Sequence, residues 1–285
     1  AVSASALSIF KNKKWIMEVR DLWPNSIVAV GSISSNSTLF KFLKFIEKRL
    51  YHHATKIVVV TDSFKKYLLN QHNIEEYKVG VFKNGINLKL IKSLSRNDVG
   101  NLKQKLGLTD KIIISYIGTH GLAHALTFIL SSIQKIKNPK IHFLFIGDGA
   151  EKKKLLTFSK SLKVKNFTFL NSIPKQDVLN YISISDYSLV NLKKSNEFLN
   201  VIPSKIFENI ALYKPILLGV EGEAKQLIEY YDVGFSFEPE NTESFINAID
   251  NIQKIDFHKF KKNCNKLVQD FDRDMIAEKM INFII

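Results

Sequence analysis

The segment at residues 203–208 (PSKIFE) carries residue types that suit a phosphorylated ligand. Pro203 and Ser204 are typical of a helix start, and Pro215 marks a stop before the next strand. Ser204, Lys205 and Glu208 are three or four positions apart, so they can share one helix face. The N–H groups of a helix start favour a phosphate, and Glu208 could accept hydrogen bonds from a ribose diol. A capped helix with a surface Lys–Glu pair is the alternative for this segment taken alone.

Two glycine-containing loops each follow an apolar run. They are Gly118-Thr119-His120-Gly121 and Gly147-Asp148-Gly149. In open α/β sheets, ligands bind outside the carboxyl ends of the strands. Gly118 and Gly121 would let the backbone approach a pyrophosphate, His120 and His124 could donate to it, and a helix from residue 122 would point its N-terminus there. The alternatives are ordinary loop or helix histidines and, for the second loop, an ordinary turn between strand and helix.

Short apolar runs alternate with amphipathic stretches along most of the chain, which indicates an α/β fold with parallel strands and right-handed crossovers. The predicted strands are 15–19, 57–60, 79–82, 112–117, 141–146, 167–170, 187–190, 216–218 and 234–237, and the predicted helices include 122–136, 151–162, 175–182, 205–212 and 242–252. The polar stretch 93–101 is predicted to be a linker. About six strands follow it and three precede it, so we expect the first domain to be incomplete at its N-terminus.

Bulk properties limit the classes of function. A chain of 285 residues with 45% apolar and 24% charged residues suits two globular domains. The single cysteine, Cys264, excludes an internal disulfide and a cysteine-rich zinc site. No apolar run reaches the ~20 residues that span a bilayer. The net charge of +14 suits nucleic acid, an anionic membrane or a phosphate-bearing substrate, although compositional drift explains it equally well.

Residues 38–54 form a predicted amphipathic helix with several lysines. Such a helix could cover a sheet or lie on an anionic membrane surface, and the two roles are compatible. The basic residues are scattered and show no aromatic-interleaved groove pattern, which disfavours nucleic acid as a partner.

Several segments, taken together and in order, resemble family 4 glycosyltransferases of the GT-B fold, in the branch that builds bacterial O-antigen and capsule polysaccharides. The matching segments are VRDLWP at 19–24, IVVVT at 57–61, NGIN at 84–87, GTHGLA at 118–123, GDG at 147–149, PSKIFENIA at 203–211 followed by KPIL at 214–217, and GVEGEA at 219–224. The resemblance implies an α/β, GT-B fold with two Rossmann-like domains and a cleft between them. Its expected limits are 1–92 for the acceptor-side domain, 93–270 for the nucleotide-sugar-binding domain and 271–285 for a C-terminal helix packing back on the first.

The same resemblance implies a retaining, metal-independent transfer of a sugar from a UDP-sugar to a lipid-linked saccharide, and we expect that sugar to be N-acetylated. Lys205 and His120 would stabilise the leaving diphosphate. Arg20 would hold a phosphate and Asp21 an acceptor hydroxyl, with an interdomain ion pair as the alternative for these two. The nucleotide-sugar contacts are expected at Gly118, Thr119, Gly121, His124, Gly147, Asp148, Gly149, Ile173 (beside the base), Ser204, Glu208, Glu221, Gly222 and Glu223.

Two departures from the family pattern affect these expectations. Asn200 occupies the position of the first acid in the family's E-x7-E pattern, and the His-containing loop replaces the usual Arg and Lys. That replacement predicts weaker or pH-sensitive phosphate binding unless Lys205 compensates. Asp272-Arg273-Asp274 has the letters of a metal-binding DxD, but helix capping suits its position better. We expect no cofactor and no metal, and a cytoplasmic protein at the inner face of the membrane.

Two other functions remain open at this stage. A nucleotide-sugar epimerase shares the GT-B architecture and needs no acceptor. An inactive nucleotide-binding or membrane-docking fragment is the second alternative.

Overall fold

A computed structural model describes residues 1–91 and 96–285 of the chain. The fold is α/β, and every strand pairing is parallel. The strands are β1 (Ile16–Val19), β2 (Lys56–Val59), β3 (Val79–Val81), β4 (Ile112–Ile117), β5 (Ile141–Ile146), β6 (Phe167–Leu170), β7 (Tyr187–Asn191), β8 (Ile216–Gly219) and β9 (Gly234–Ser236). All nine predicted strands are present, with ends shifted by one residue at most.

The helices lie between and beside these strands. They are α1 (Val2–Phe10), α2 (Asn25–Ala29), α3 (Thr38–His53), α4 (Asp62–His72), α5 (Leu88–Ile91), α6 (Arg96–Lys105), α7 (Leu126–Ile133), α8 (Lys152–Lys160), α9 (Val178–Ile184), α10 (Lys205–Ala211), α11 (Glu223–Tyr231), α12 (Thr242–Asn251), α13 (Phe257–Asp270) and α14 (Arg273–Ile284). None of the helices in the described ranges is long and apolar enough to cross a membrane.

The predicted linker at 93–101 is wrong where the structure describes it, because α6 begins at Arg96. Residues 93–95 lie outside the described residues. Leu102 and Leu106 are one helical turn apart and pack against a buried cluster that includes Ile113 and Leu144. This short apolar stripe holds the helix in place although its first residues show no apolar period.

The larger sheet has six strands in the order β6-β5-β4-β7-β8-β9. The strand order reverses between β4 and β7, which pair directly through Ile114 with Tyr187 and Ser115 with Ser188. Residues of β4, β5, β7 and β8 are almost entirely buried because helices cover both faces. This is the doubly wound order, in which the crevice beyond the carboxyl ends of the two central strands is the usual ligand site.

The smaller sheet has the order β1-β2-β3. Helix α14 reaches it from the C-terminal end of the chain: the Phe283 ring lies 5.6 Å from that of Phe82, and the Lys56 Nζ lies 4.6 Å from the Phe283 ring centroid. The Asp272 side chain caps α14 by accepting from the backbone N–H of Asp274, as expected for the DRD segment. The exact domain limits stay a prediction.

Helix α3 buries two polar side chains and leaves several apolar ones exposed. Glu47 and Tyr51 are buried and hydrogen-bonded to each other at 3.1 Å, whereas Leu39, Phe42 and Phe45 are exposed. The helix therefore covers the small sheet with a mixed polar face and leaves part of its apolar face uncovered in the described chain.

Candidate functional site

The loops after β4 and β5 interlock at the crevice between the two central strands. The Gly118 N–H donates to the Ile146 carbonyl at 2.9 Å, and the His120 N–H donates to the Asp148 carbonyl at 2.8 Å. The Glu151 N–H, at the start of α8, donates to the His120 carbonyl at 2.9 Å. These backbone hydrogen bonds fix the first loop against the second one, so the two loops form a single rigid wall.

Glycine is required in the second loop because the first loop packs directly onto it. Gly147 and Gly149 have φ values of +145° and +153°, which side chains rarely allow. A Cβ on Gly147 would collide with the Gly118 carbonyl oxygen, and one on Gly149 would lie 2.6 Å from the His120 carbonyl oxygen. The GDG segment is thus built for close backbone packing rather than being an interchangeable turn. The Asp148 side chain is exposed at its tip and accepts from the Gly149 N–H.

His120 lies behind this wall, which corrects its expected role as a direct diphosphate contact. Its side chain is fully buried beside the rings of Tyr116 and Phe169. Burial lowers the pKa of His120 to about 4, and the nearby Lys152 and Lys205 ammonium groups lower it further in the same direction. His120 is therefore neutral at pH 7 and supports the loop from inside.

His124 is closer to the crevice than His120, but the backbone around it differs from the predicted helix. Leu122–His124 is a separate 3-10 turn, and the helix starts only at Leu126, after Ala125 in a left-handed conformation. The expected helix N-terminus at residue 122 is therefore wrong. The His124 carbonyl accepts from the Asn191 side-chain amide at 2.8 Å, which ties the turn to the end of β7. Burial, then Lys205, lowers the pKa of His124 to about 4, so this ring is also neutral at pH 7.

Lys205 brings the positive charge of the site. Helix α10 begins at Lys205, as predicted, and the side chain reaches across the crevice to the first glycine loop. Its Nζ would lie 2.9 Å from a Cβ placed on Gly118, so a side chain at that position would displace the end of the lysine. The Nζ atom is buried and has no hydrogen-bond partner in the described part of the chain. Burial lowers the pKa of Lys205 to about 7, and the neighbouring Glu208 opposes that shift.

An unpaired buried ammonium is costly in a folded protein, so its presence in a crevice indicates a site for an anion. Ser204 precedes it with an exposed side chain that does not cap the helix, and Glu208 follows one turn later, partly buried. The structure thus brings Ser204, Lys205, Glu208, Gly118 and His124 to one crevice.

Tyr116 and Lys152 belong to the site and were not found from the sequence. The Tyr116 ring centroid lies 3.9 Å from the Lys205 Nζ, and its hydroxyl donates to the Thr119 carbonyl at 2.7 Å. The buried Lys152 donates to the carbonyls of Gly147 (2.9 Å) and Leu170 (2.7 Å), which join the ends of β5 and β6. Tyr116 sits within an apolar strand and Lys152 among three consecutive lysines, so neither residue has a local sequence signal that singles it out.

Glu223 serves a different contact from the expected one with a sugar hydroxyl. Its Oε1 accepts from the Ser63 N–H at 2.6 Å, at the N-terminus of α4 beside the small sheet. Gly222 allows the approach of this loop, because a Cβ there would collide with the Leu199 carbonyl oxygen. Glu221 is partly buried nearby. Glu223 therefore links the two sheets of the molecule through the positive end of a helix.

A cavity of ≈ 680 Å³ opens beside this link. Helix and loop residues from the regions of both sheets line it, among them Ser63, Lys66, Lys83, Asn200 and Glu223. Asn200, which replaces the family's first acid, thus faces the space between the two sheets.

Arg20 and Asp21 lie at the carboxyl end of β1, and both are exposed. The Arg20 guanidinium donates to the Glu18 carboxylate at 2.9 Å and to the Asn84 side-chain oxygen. Both partners belong to the region of the small sheet. Arg20 therefore makes no interdomain ion pair with a described residue, and that alternative is wrong for Arg20. No hydrogen bond or ion pair of the described residues joins Arg20 or Asp21 to the Lys205 crevice.

The remaining expected residues lie around the crevice or leave its chemistry unchanged. Ile173 follows β6 and packs partly buried on the cluster beneath α6 and α9. Cys264 is buried, and burial raises its pKa to about 12, so the thiol is unreactive. Within residues 1–91 and 96–285, no three His, Cys, Asp or Glu side chains are grouped to hold a metal ion.

Comparison with known proteins bears on this arrangement. The family model described as "Glycosyl transferases group 1" matches residues 98–270. The chain is 26% identical over 247 residues to "Probable glycosyltransferase WbjE" of Pseudomonas aeruginosa, covering 85% of this chain and 60% of that protein. It is 24% identical over 210 residues to TuaH of Bacillus subtilis, named for teichuronic acid biosynthesis, covering 74% and 51%. The chain thus spans about half to three-fifths of the length of these curated relatives.

The crystal structure of HepE from Anabaena in complex with UDP and glucose superposes with a TM-score of 0.81 at 15% identity. The match covers 99% of this chain and 74% of HepE. At this identity the likeness establishes the fold, and the fold is the GT-B arrangement expected from the sequence.

Proposed function

The chain belongs to the group 1 glycosyl transferases, and from that premise we propose that it transfers a sugar from a UDP-sugar to a lipid-linked saccharide in surface polysaccharide synthesis. The observation that carries this proposal is the Lys205 ammonium beside Gly118, at the strand-order reversal of the larger sheet, which has no hydrogen-bond partner among the described residues. A donor diphosphate placed there would pair with a charge that no described residue neutralises.

In this proposal, the donor binds at the larger sheet. The diphosphate lies between the Gly118–Gly121 loop and Lys205, with Ser204 and His124 as further donors. Glu208 accepts from the ribose hydroxyls, and Ile173 lies beside the base. The sugar extends towards Asn200 and the cavity that residues from the regions of both sheets line. The relatives support the class of reaction, since the HepE structure contains UDP and glucose and TuaH is named for teichuronic acid biosynthesis.

Departure of UDP places negative charge on the diphosphate, and the residues of this crevice can stabilise it without a metal ion. Lys205 supplies the positive charge in a dry setting, where an ion pair is worth more than in water. His120 and His124 are neutral at pH 7, so they contribute hydrogen bonds or packing rather than charge. We propose retention of the anomeric configuration on the family resemblance alone.

The acceptor binds on the small-sheet side in this proposal, where Arg20 and Asp21 mark the end of β1. Arg20 is held by Glu18 and Asn84 with part of its guanidinium exposed, which suits contact with a phosphate of a lipid carrier. The exposed Leu39, Phe42 and Phe45 of α3 would face the membrane interface that carries such an acceptor.

The test is incorporation of radiolabel from UDP-N-acetylglucosamine into a lipid-extractable product, with membranes as the acceptor source. We expect label in the lipid fraction with the wild-type chain and a loss of about tenfold or more with Lys205→Met. An acetamido-glycal or an epimer formed from UDP-N-acetylglucosamine alone would establish an epimerase instead. UDP binding with no transfer to any supplied acceptor would support a binding fragment.

A further inference from the structure

Tyr116 occupies the centre of the crevice. It is the fifth residue of β4, and its side chain is 1% exposed. Its hydroxyl donates to the Thr119 carbonyl at 2.7 Å, which fixes the loop three residues later. The face of its ring lies 3.9 Å from the Lys205 Nζ. A single side chain therefore contacts both the glycine loop and the cation of the proposed donor site.

The Lys205 ammonium rests on this ring and makes no hydrogen bond in the described part of the chain. An aromatic face attracts a cation without neutralising it and without using its N–H donors. A carboxylate in the same place would hold the lysine as firmly, but it would compete with a phosphate for the charge. The ring thus restricts a flexible side chain and leaves its three donors available to a ligand.

We propose that Tyr116 is a positioning residue for the donor diphosphate, holding the Lys205 ammonium beside Gly118 with its ring and the Thr119 carbonyl in place with its hydroxyl. This inference rests on the proposed function, because it concerns the same site. It assigns to a strand residue a role that acts through Lys205 rather than through contact with the sugar.

The charged and titratable groups around Lys205 determine how UDP affinity is expected to depend on pH. The His120 and His124 rings each lie 5.8 Å from the Tyr116 ring, and both are neutral above pH 6. Glu208 lies on the same helix as Lys205, and Lys152 and Asp148 lie near His120. Burial lowers the pKa of Lys205 to about 7, so at pH 8 the bound diphosphate must draw a proton onto it. The ring favours that protonated form and should therefore strengthen binding at pH 8.

The experiment replaces Tyr116 with phenylalanine and then with mono-, di- and trifluorinated phenylalanines in the full chain. Fluorine withdraws charge from the ring face while nearly preserving its shape, so packing is kept and the cation–π contact is weakened. UDP affinity is measured by titration calorimetry at pH 8. We expect the Kd to rise stepwise with fluorination, by about three- to tenfold for the trifluoro ring. In a Lys205→Met background the same series should have no effect.

The matched control for loss of a buried hydroxyl is Tyr187→Phe, because Tyr187 donates to the Ile252 carbonyl at 2.6 Å at the start of β7. It should lower thermal stability about as much as Tyr116→Phe and leave UDP affinity unchanged. An unchanged Kd across the fluorinated series, or the same change with and without Lys205, would overturn the role of Tyr116 while UDP binding itself stands. Failure of the wild-type chain to bind UDP would instead overturn the proposed function, and this inference with it.

Discussion

At the scale of single residues, the site combines the Lys205 cation with backbone that only glycine permits. Lys205 has a buried ammonium without a hydrogen-bond partner in residues 1–91 and 96–285. Gly147 and Gly149 allow two loops to pack backbone to backbone. The sequence pointed to Lys205 and to these glycines. It could not show that His120 is buried, because the closure of the second loop over His120 depends on contacts between segments about 30 positions apart.

Gly147→Ala tests the packing of the two loops. The new methyl group would collide with the Gly118 carbonyl in a backbone conformation with φ near +145°, so we expect a loss of at least about 2 kcal/mol in the free energy of unfolding. Chemical denaturation measures it. Gly121→Ala is the control: its Cβ would meet Thr119 at an ordinary 3.5 Å, so it should cost little. Equal losses for both variants would contradict the interlocked loops.

At the scale of elements, buried polar side chains connect the ends of strands and helices. The strand positions follow from continuous apolar runs, which is why all nine were predicted. Helix α6 was missed because its apolar stripe is short, and the true start of α7 was missed because Ala125 adopts a left-handed conformation without a glycine or asparagine to indicate it. The role of Lys152 depends on the proximity of β5 and β6, which spacing along the chain does not reveal.

Lys152→Met tests this connection. It would leave the Gly147 and Leu170 carbonyls without their donor at the end of the sheet, so we expect a loss of about 1–3 kcal/mol in the free energy of unfolding. Lys153→Met, an exposed neighbour on the same helix, should change the free energy by less than about 0.5 kcal/mol. Urea titration of the two variants measures both changes. An unchanged free energy of unfolding in Lys152→Met would show that the buried ammonium is not needed for stability.

At the scale of the whole molecule, a few contacts join the regions of the two sheets. The Glu223 carboxylate meets the N-terminus of α4, and α14 packs beside β3. Glu223 and Ser63 are 160 positions apart, so no local pattern could have predicted their contact. The family resemblance anticipated two Rossmann-like domains and a cleft, but it assigned Glu223 to the donor sugar.

Glu223→Gln tests the contact between the two regions. Glutamine keeps the shape but loses the charge that favours a helix N-terminus, so the free energy of unfolding should fall by about 1 kcal/mol. Glu229→Gln, on the exposed face of the same helix, is the control and should be nearly neutral, because its Lys225 partner is 3.8 Å away at the surface. If Glu223→Gln left the free energy of unfolding unchanged in the same denaturation experiment, the charge of Glu223 would not stabilise the contact between the two regions.

In the proposed function, Lys205 provides the positive charge for a donor diphosphate. UDP titration from pH 7.5 to 9.0 measures whether this lysine carries that charge. UDP is almost fully ionised in this range and both crevice histidines are neutral, so the pH dependence reports Lys205. The protonated form is present below the pKa of about 7 and is lost as pH rises, so affinity should fall by up to about tenfold per pH unit. Lys205→Met should bind UDP about tenfold or more weakly at pH 7.5, and its UDP affinity should not depend on pH. It should be at least as thermally stable as the wild type, because the substitution removes a buried ammonium that no described residue pairs with. Equal UDP affinity and an equal pH profile in the two proteins would show that Lys205 does not provide the charge that binds the diphosphate.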